Sequence, residues 1–354
     1  MPLDLSQDVV ALTAAVVDID SVSGNELDLA NQVEAALSAL PHLEVTRLGN
    51  NIVARTDLGH AERVVIAGHL DTVPVENNLP SRRDDTTMYG RGTCDMKGGV
   101  AVALKLAHGV TAPHRDVTYV FYDGEEIAAI HNGLRRIANE RPDLIEADFA
   151  ILMEPSDGVV EAGCQGTLRV DVVVPGETAH AARSWRGVNA IHGTAEVLNR
   201  LNAYDARKPL IDGLEYHEGL NAVLISGGTA TNVIPGECRV HVNYRFAPDR
   251  SEAEAEAFVR DFFAGFAVEV LDSSPGALPG LDRPAARAFV EAVGGAPKPK
   301  FGWTDVSRFS DLGVPAVNYG PGDPMLAHKQ EESVPLHQLI DCERSLRGWL
   351  GAAQ

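Results

Sequence analysis

The chain has few cysteines, few aromatic residues and a deficit of basic residues. Its 354 residues include four cysteines, far apart and without a C-x-x-C pair, so the sequence indicates neither a disulfide framework nor a thiolate zinc site. Lys and Arg number 30 against 50 Asp and Glu, and the formal charge is −20. A chain this acidic lacks the basic surface that nucleic acid or an anionic membrane would bind.

The N-terminal stretch MPLDLSQDVVALTAAVVDID lacks basic residues, and acidic residues interrupt its apolar run. This pattern predicts an amphipathic helix, with neither a signal peptide nor a membrane span. Free thiols fit a reducing compartment. We therefore expect a cytoplasmic protein. Its acidity does not exclude a small anionic substrate, because a local cationic pocket or a metal can override the global charge.

Short apolar runs alternate with helical patterns in the first half of the chain, which predicts an α/β domain with a largely parallel or mixed sheet. Helices are expected over 7–19, 26–40 and 98–109. Ser23 or Asn25 is the expected N-cap of the second helix. The expected strands are 51–55, 64–70, 116–122 and 148–153.

The pattern changes after about residue 167. The segment up to 272 reads strand, helix, strand, strand, helix, strand, an order typical of a ferredoxin-like α+β unit. A Pro/Gly-rich stretch at 273–284 leads back to α/β character. We therefore predict a discontinuous catalytic domain, 1–167 and 277–354, interrupted by an inserted domain at 168–276.

His69 and Asp71 follow the apolar run VVIA. On an extended backbone, residues two apart point to the same side, so Asp71 could orient the His69 ring while the other ring nitrogen binds a metal. A buried histidine paired with a capping aspartate has the same pattern.

Asp95 precedes a Gly-rich helix start in GRGTCDMKGG. The stretch lacks the GK[ST] ending of a phosphate-binding loop, so we reject a nucleotide site of that kind. Asp95 is interpreted either as a helix N-cap or as a carboxylate that bridges two cations.

Glu125 and Glu126 lie side by side beyond the run DVTYVFY. Because neighbouring side chains on an extended backbone point in different directions, one could bind a metal while the other faces the water on that metal. A solvated acidic turn is the alternative.

Two further candidates are weak on their own. Glu154 follows the buried run DFAILM, and His328 follows the loop YGPGDPM, where a surface position would also explain it. In combination, two histidines, three carboxylates and an accessory glutamate make a nitrogen and oxygen ligand set suited to Zn²⁺ or Co²⁺. Two cations would also neutralise the clustered acids.

The motifs HLDTVP, GRGTCDMKGG, the adjacent glutamates, EPS and a late AHK occur in this order around an insert. Together they resemble the di-zinc metallopeptidases that include aminoacylase, acetylornithine deacetylase and the glutamate carboxypeptidases, and the resemblance covers essentially the whole chain. It implies a three-layer α/β/α catalytic domain with two Zn²⁺ or Co²⁺ ions, and a homodimer formed through the inserted lid domain.

The resemblance also implies the ligand assignment. Asp95 would bridge the two metals. His69 and Glu154 would complete one site, and Glu126 and His328 would complete the other.

By the same resemblance, Glu125 is the general base and Asp71 orients the zinc-binding histidine. His180, in the ETAH segment, would reach the partner's active site as an oxyanion donor. Asn232 and Arg245 match positions that grip the carboxylate end of the substrate.

The chain departs from some members of the family, which carry two arginines where this chain has Cys164 and Gln165. Other arginines would then bind the substrate carboxylates: the candidates are Arg169, Arg183 and Arg186. Thr167 in EAGCQGTLRV and Thr304 in GWTDVSRF belong to the expected substrate site.

The expected reaction is hydrolysis of an N-acyl amino acid that carries several carboxylates. Glu125 would take a proton from the attacking water and deliver it to the leaving amine. The alternatives are the same hydrolysis on acetylornithine or a dipeptide, and a metal-binding homologue that has lost catalysis. Five ligands together with the extra glutamate speak against the last.

Overall fold

The computed structural model describes residues 3–351, so the ends of the predicted catalytic segments, 1–2 and 352–354, lie outside the described residues. The chain divides into two compact units. The first unit has three segments: the chain up to Ala162, the segment Pro279–Lys298, and the chain from Arg308 onward. The second unit has two segments, Gly163–Leu278 and Pro299–Ser307. The second unit therefore begins before the predicted boundary at 168, and it also takes up a segment beyond 276.

The first unit is built on an eight-stranded mixed sheet. Its order across the sheet is Glu44–Leu48, Asn51–Arg55, Asp116–Tyr122, Arg63–His69, Phe149–Leu152, Ala316–Asn318, Glu161–Ala162 and Lys298–Pro299. The four strands from Asp116–Tyr122 to Ala316–Asn318 are parallel to one another. These central strands are buried except at Arg63, which is partly exposed, as their continuous apolar runs predict.

Helices of the first unit cover the sheet. They are Val9–Val17, Leu27–Ser38, Lys97–Gly109, Gly133–Glu140, Pro284–Val293, Val306–Asp311 and Leu336–Trp349, the sixth of which begins in residues assigned to the second unit. Leu27–Ser38 has Glu26 at its N-cap and no side-chain cap bond, so the predicted cap at Ser23 or Asn25 is wrong. Short 3₁₀ turns lie at Ala129–His131, Pro142–Leu144 and Pro324–Leu326.

A second, three-stranded sheet in the first unit was not predicted. It pairs Ser333–Pro335 with Thr87–Tyr89, and Thr87–Tyr89 with Arg82–Arg83, all antiparallel. Each strand has only two or three residues. The sheet brings a late segment of the chain beside the Gly-rich motif that starts at Gly90.

The second unit is a four-stranded antiparallel sheet in the order Gly219–Gly227, Glu237–Phe246, Gly166–Pro175 and Ala267–Ser274. Its helices are Ala190–Asn202 and Glu252–Phe262, the latter with a capping box at Ser251. Short elements complete it: Ala179–His180, Ala181–Arg186, Leu210–Ile211, Leu214–Glu215 and Val233–Ile234. The observed strand and helix order matches the predicted ferredoxin-like arrangement.

The fold is thus an α/β unit and an α+β unit, and the predicted fold class is confirmed. The second unit has its own apolar core, in which alternate residues of the central strand, such as Val240, Val242 and Tyr244, are buried. Within residues 3–351, no helix combines the length and apolar character that a membrane crossing requires.

Candidate metal centre

The predicted ligands of the first unit follow the carboxyl ends of its parallel strands. His69 is the last residue of Arg63–His69. Glu126 follows Asp116–Tyr122 by four residues, and Glu154 follows Phe149–Leu152 by two. Because carboxyl ends of neighbouring parallel strands meet at one edge of a sheet, the fold gathers these side chains there.

His69, Asp95 and Glu126 lie close together, and each offers one ligand atom within 4.8 Å of the others. His69 Nε2 lies 3.2 Å from Asp95 Oδ1. His328 Nε2 lies 3.0 Å from Glu126 Oε2 and 3.4 Å from Asp95 Oδ2. Four of the five predicted ligands therefore meet around Asp95, which contacts both histidines as a bridging carboxylate would.

Glu154 is placed beside this group by strand register. Ala67 pairs with Leu152 in the parallel ladder. His69 and Glu154 are each two residues beyond that pair, so Glu154 leaves the end of its strand beside the strand that ends at His69. Glu154 is buried. This placement supports its expected pairing with His69.

Asp71 is buried and connects the histidine loop to the two glutamates. Its main-chain oxygen lies 3.0 Å from His69 Nδ1, and its carboxylate Oδ1 lies 3.5 Å from the same nitrogen. The carboxylate also accepts the main-chain N–H groups of Glu125 and Glu126, each at 3.1 Å, and the Ser23 hydroxyl at 2.7 Å. Asp71 therefore orients the histidine and fixes the turn that presents both glutamates.

The structure settles two of the open alternatives. Helix Lys97–Gly109 has Met96 at its N-cap and no side-chain cap bond, so Asp95 does not cap it. The Glu126 side chain is only 8% exposed, so the adjacent glutamates are not a solvated acidic turn. Asp95 instead contacts His69 and His328, and Glu126 contacts His328.

The carboxylates of the cluster stabilise positive charge on the groups beside them. Burial alone would lower the pKa of His69, but hydrogen bonds with Asp71 and Asp95 raise that pKa well above its ordinary value. Hydrogen bonds with Asp95 and Glu126 raise the pKa of His328 to about 10. Burial opposes ionisation of Asp95, yet the two histidines lower its pKa. The acids of the cluster therefore favour positive charge beside them, as protons on the histidines or as bound cations. The nitrogen and oxygen donors of the cluster suit divalent cations.

Sequence reasoning missed two residues that contact this group. Glu332 Oε1 accepts the main-chain N–H groups of Cys94 and Asp95, each at 3.1 Å. Its other oxygen accepts from Arg91 Nη1 at 2.8 Å. Arg91 lies inside the motif GRGTCDMKGG, and Glu332 follows the motif AHK by three residues. A charged residue type in the sequence does not by itself indicate that the side chain is buried.

In the second unit, His180 and Asn232 lie on adjoining segments. Ala179–His180 pairs with Val233–Ile234, and the Ala181 N–H donates to the Asn232 carbonyl at 2.8 Å. His180 is exposed, and its Nδ1 accepts the Ala182 N–H at 3.0 Å. A neutral ring with Nδ1 as acceptor carries its proton on Nε2. Arg183 is exposed in the 3₁₀ turn that follows.

The remaining predicted residues of the second unit lie around Thr167. Thr167 and Arg245 are directly opposite in the antiparallel ladder. Thr167 Oγ1 is buried and, among residues 3–351, has no hydrogen-bond partner. The carbonyl of Thr304 lies 3.6 Å from the Sγ of Cys164, three residues before Thr167. Burial and the positive charge of Arg169 both lower the pKa of Arg245, because each disfavours the charged guanidinium.

The chain matches a known protein family. Residues 65–351 match the model of peptidase family M20/M25/M40. A Mycobacterium tuberculosis protein described as a "putative succinyl-diaminopimelate desuccinylase" is 54% identical, over 99% of each chain. The succinyl-diaminopimelate desuccinylase of Corynebacterium glutamicum is 46% identical, over 98% of this chain and 97% of that one.

Among solved structures, a tripeptidase from Staphylococcus aureus superposes with a TM-score of 0.79. It covers 99% of this chain and 98% of its own, at 23% sequence identity. At that identity the match supports the shared fold alone.

Proposed function

The chain belongs to peptidase family M20/M25/M40, and from this membership we propose that it hydrolyses N-succinyl-LL-2,6-diaminopimelate to succinate and LL-2,6-diaminopimelate. This reaction would place it in diaminopimelate and lysine biosynthesis. The observation that carries the proposal is the meeting of His69, Asp95 and Glu126 at one edge of the sheet, with Glu125 beside them.

The described residues would hold two metal ions. Asp95 contacts both histidines and would bridge the ions. His69 with Glu154 would complete one site, and Glu126 with His328 the other. Nitrogen and oxygen donors without a thiolate suit Zn²⁺ or Co²⁺. When bound, such ions supply Lewis acidity, which polarises a carbonyl group and lowers the pKa of water.

Glu125 is the proposed general base. Its main-chain N–H is fixed by Asp71, while its neighbour Glu126 faces His328. Glu125 would accept a proton from the attacking water as the water adds to the succinyl carbonyl carbon. It would then deliver that proton to the amine nitrogen as the amide C–N bond breaks.

His180 is the proposed oxyanion donor, acting from the partner subunit of a homodimer. The tautomer indicated by its bond to Ala182 presents an Nε2–H, which is the donor that a developing oxyanion requires. An exposed apolar edge strand supports association of this unit: Val223, Leu224 and Ile225 of Gly219–Gly227 are about half exposed or more.

The substrate carboxylates would be bound by the second unit. Arg245 and Thr167 present a cation and a free hydroxyl from opposite positions of one ladder. Thr304, whose carbonyl contacts Cys164, would contribute from a separate segment of the same unit. Asn232 and Arg183 would contribute from the segment that carries His180. All four cysteines are buried and none forms a disulfide, which fits the cytoplasm as the compartment in which the enzyme works.

The test is steady-state hydrolysis of N-succinyl-diaminopimelate beside N-acetylornithine, each with added zinc and with a chelator. We expect fast, chelator-sensitive turnover of the succinyl substrate alone. Chelator-sensitive turnover of the acetyl substrate alone would keep the metal site and overturn the substrate. Turnover that is insensitive to chelator would overturn the metal-dependent mechanism.

A further inference from the structure

Arg91 and Glu332 form an ion pair that is buried beside the metal centre. Their side chains are 2% and 1% exposed, and Arg91 Nη1 lies 2.8 Å from Glu332 Oε2. Removing two charges from water costs several kcal/mol for each ion, and apolar residues of similar size often serve stability as well or better. A role in stability alone therefore accounts poorly for this pair.

The pair joins three loops that carry proposed ligands. Arg91 donates to the carbonyl of Pro74 at 3.1 Å, in the loop after His69. It also donates to the carbonyl of Lys329 at 3.3 Å, next to His328. A guanidinium has five N–H donors in a rigid fork, which suits a junction between separate segments.

Glu332 completes the junction on the side of Asp95. One of its oxygens accepts both main-chain N–H groups of Cys94 and Asp95, while the other accepts from Arg91. With both oxygens engaged in this way, Glu332 does not compete as a metal ligand. Its contacts instead fix the main chain at the carboxylate that would bridge the ions.

The backbone at His328 needs such support. Its φ is +66°, in the left-handed region that is unfavourable for a residue with a side chain. Conformations of this kind persist where surrounding contacts hold them. Arg91, through the Lys329 carbonyl, and Glu332, four residues on from His328, supply contacts on the segment that follows.

We propose that Arg91 and Glu332 are a positioning pair, which fixes Asp95 and His328 relative to each other so that the metal sites are formed before metal binds. This inference rests on the proposed metal centre but not on the proposed substrate. Preformed ligand geometry should appear as metal affinity, because residues that orient ligands commonly change it by 10- to 100-fold.

The experiment measures zinc affinity by competition with a chromophoric chelator, and the unfolding temperature of the metal-free protein. The variants are Arg91→Lys, which keeps the charge and loses the fork, and Glu332→Gln, which keeps an acceptor oxygen and loses the ion pair. The matched control is Arg115→Lys. Arg115 donates to the Trp349 carbonyl at 2.9 Å and pairs with Glu62 at 3.3 Å, before the amino end of a central strand.

We expect Arg91→Lys and Glu332→Gln to weaken zinc binding by about 10- to 100-fold. Arg115→Lys should lower the unfolding temperature and leave zinc affinity within about twofold. Unchanged zinc affinity in either site variant, in a protein that is folded by circular dichroism, would overturn the inference. Equal loss of affinity in the control would also overturn it, since the effect would then be general instability.

The substrate proposal can fail separately. A wild-type protein that binds no zinc would overturn the metal centre and this inference together. A wild-type protein that binds zinc but hydrolyses neither amide would overturn only the substrate, and the affinities of the variants would still decide the role of the pair.

Discussion

The carboxylate of Asp71 accepts the main-chain N–H of Glu126 at 3.1 Å, so a residue two positions from one proposed ligand holds the backbone of another. Asp71→Asn should disturb both sites, because an amide nitrogen cannot accept the second of the two N–H groups. We expect metal affinity to fall by about 10- to 100-fold. Chelator competition measures it. The control is Ser23→Ala, which removes only one hydroxyl donor to Asp71 and should have a much smaller effect on metal affinity. Equal losses of metal affinity in the two variants would contradict this role of Asp71.

Glu125→Gln should separate catalysis from metal binding. The amide cannot accept a proton, so we expect kcat to fall by about 100- to 10,000-fold while bound zinc stays at the wild-type level. Elemental analysis of the purified variant and its turnover rate are the two measurements. Glu126→Gln is the matched control, and it should lose metal as well as activity. Normal turnover in Glu125→Gln would remove Glu125 from the mechanism.

His180→Ala tests the proposed oxyanion donor. Loss of one such donor costs about 3 kcal/mol of transition-state stabilisation, so kcat should fall by about 100-fold or more with little change in KM. His192→Ala is the control, since His192 is also an exposed histidine of the second unit. A variant at His180 with wild-type kcat would show that another group stabilises the oxyanion.

Metal binding should release protons. In the metal-free protein the pKa of His328 is raised to about 10, so its ring is protonated at pH 8 and must lose that proton to bind metal. Affinity should therefore rise with pH up to about 10, by roughly tenfold per pH unit for each proton displaced. Calorimetry in buffers of different ionisation enthalpy measures the protons released.

His328→Ala should release fewer protons than the wild-type protein, because the proton that His328 carries is then absent. Calorimetric enthalpies of the wild-type protein that are the same in every buffer would contradict the displacement of protons by metal.

The sequence predicted long elements well because their apolar patterns are local. Asn51–Arg55 and Asp116–Tyr122 were predicted with the observed bounds. The small sheet that pairs Ser333–Pro335 with Thr87–Tyr89 left no such pattern, since each strand is three residues long and its partner is distant in the chain. Helices Gly133–Glu140 and Pro284–Val293 were also missed.

The ligands could be predicted because several side chains of the right chemistry follow strand ends. The residues that hold those ligands could not. Ser23 was interpreted as a helix cap, and it bonds to Asp71 instead. Arg and Glu are residue types that usually lie at the surface, so the sequence does not distinguish Arg91 and Glu332 from solvated residues. Only the folded structure shows that both are buried. Strand register likewise brings the end of the strand before Glu154 beside the strand that ends at His69. Composition cannot reveal which strands are neighbours.

The proposed ligands are spread along the chain from His69 to His328, and only the folded sheet edge gathers them. An unfolded chain would therefore have little affinity for zinc, and by mass action the metal would stabilise the native state. At a free zinc concentration 1,000 times the dissociation constant, this linkage contributes about 4 kcal/mol for each site. Zinc supply would then control how long the protein survives proteolysis, in addition to how fast it works.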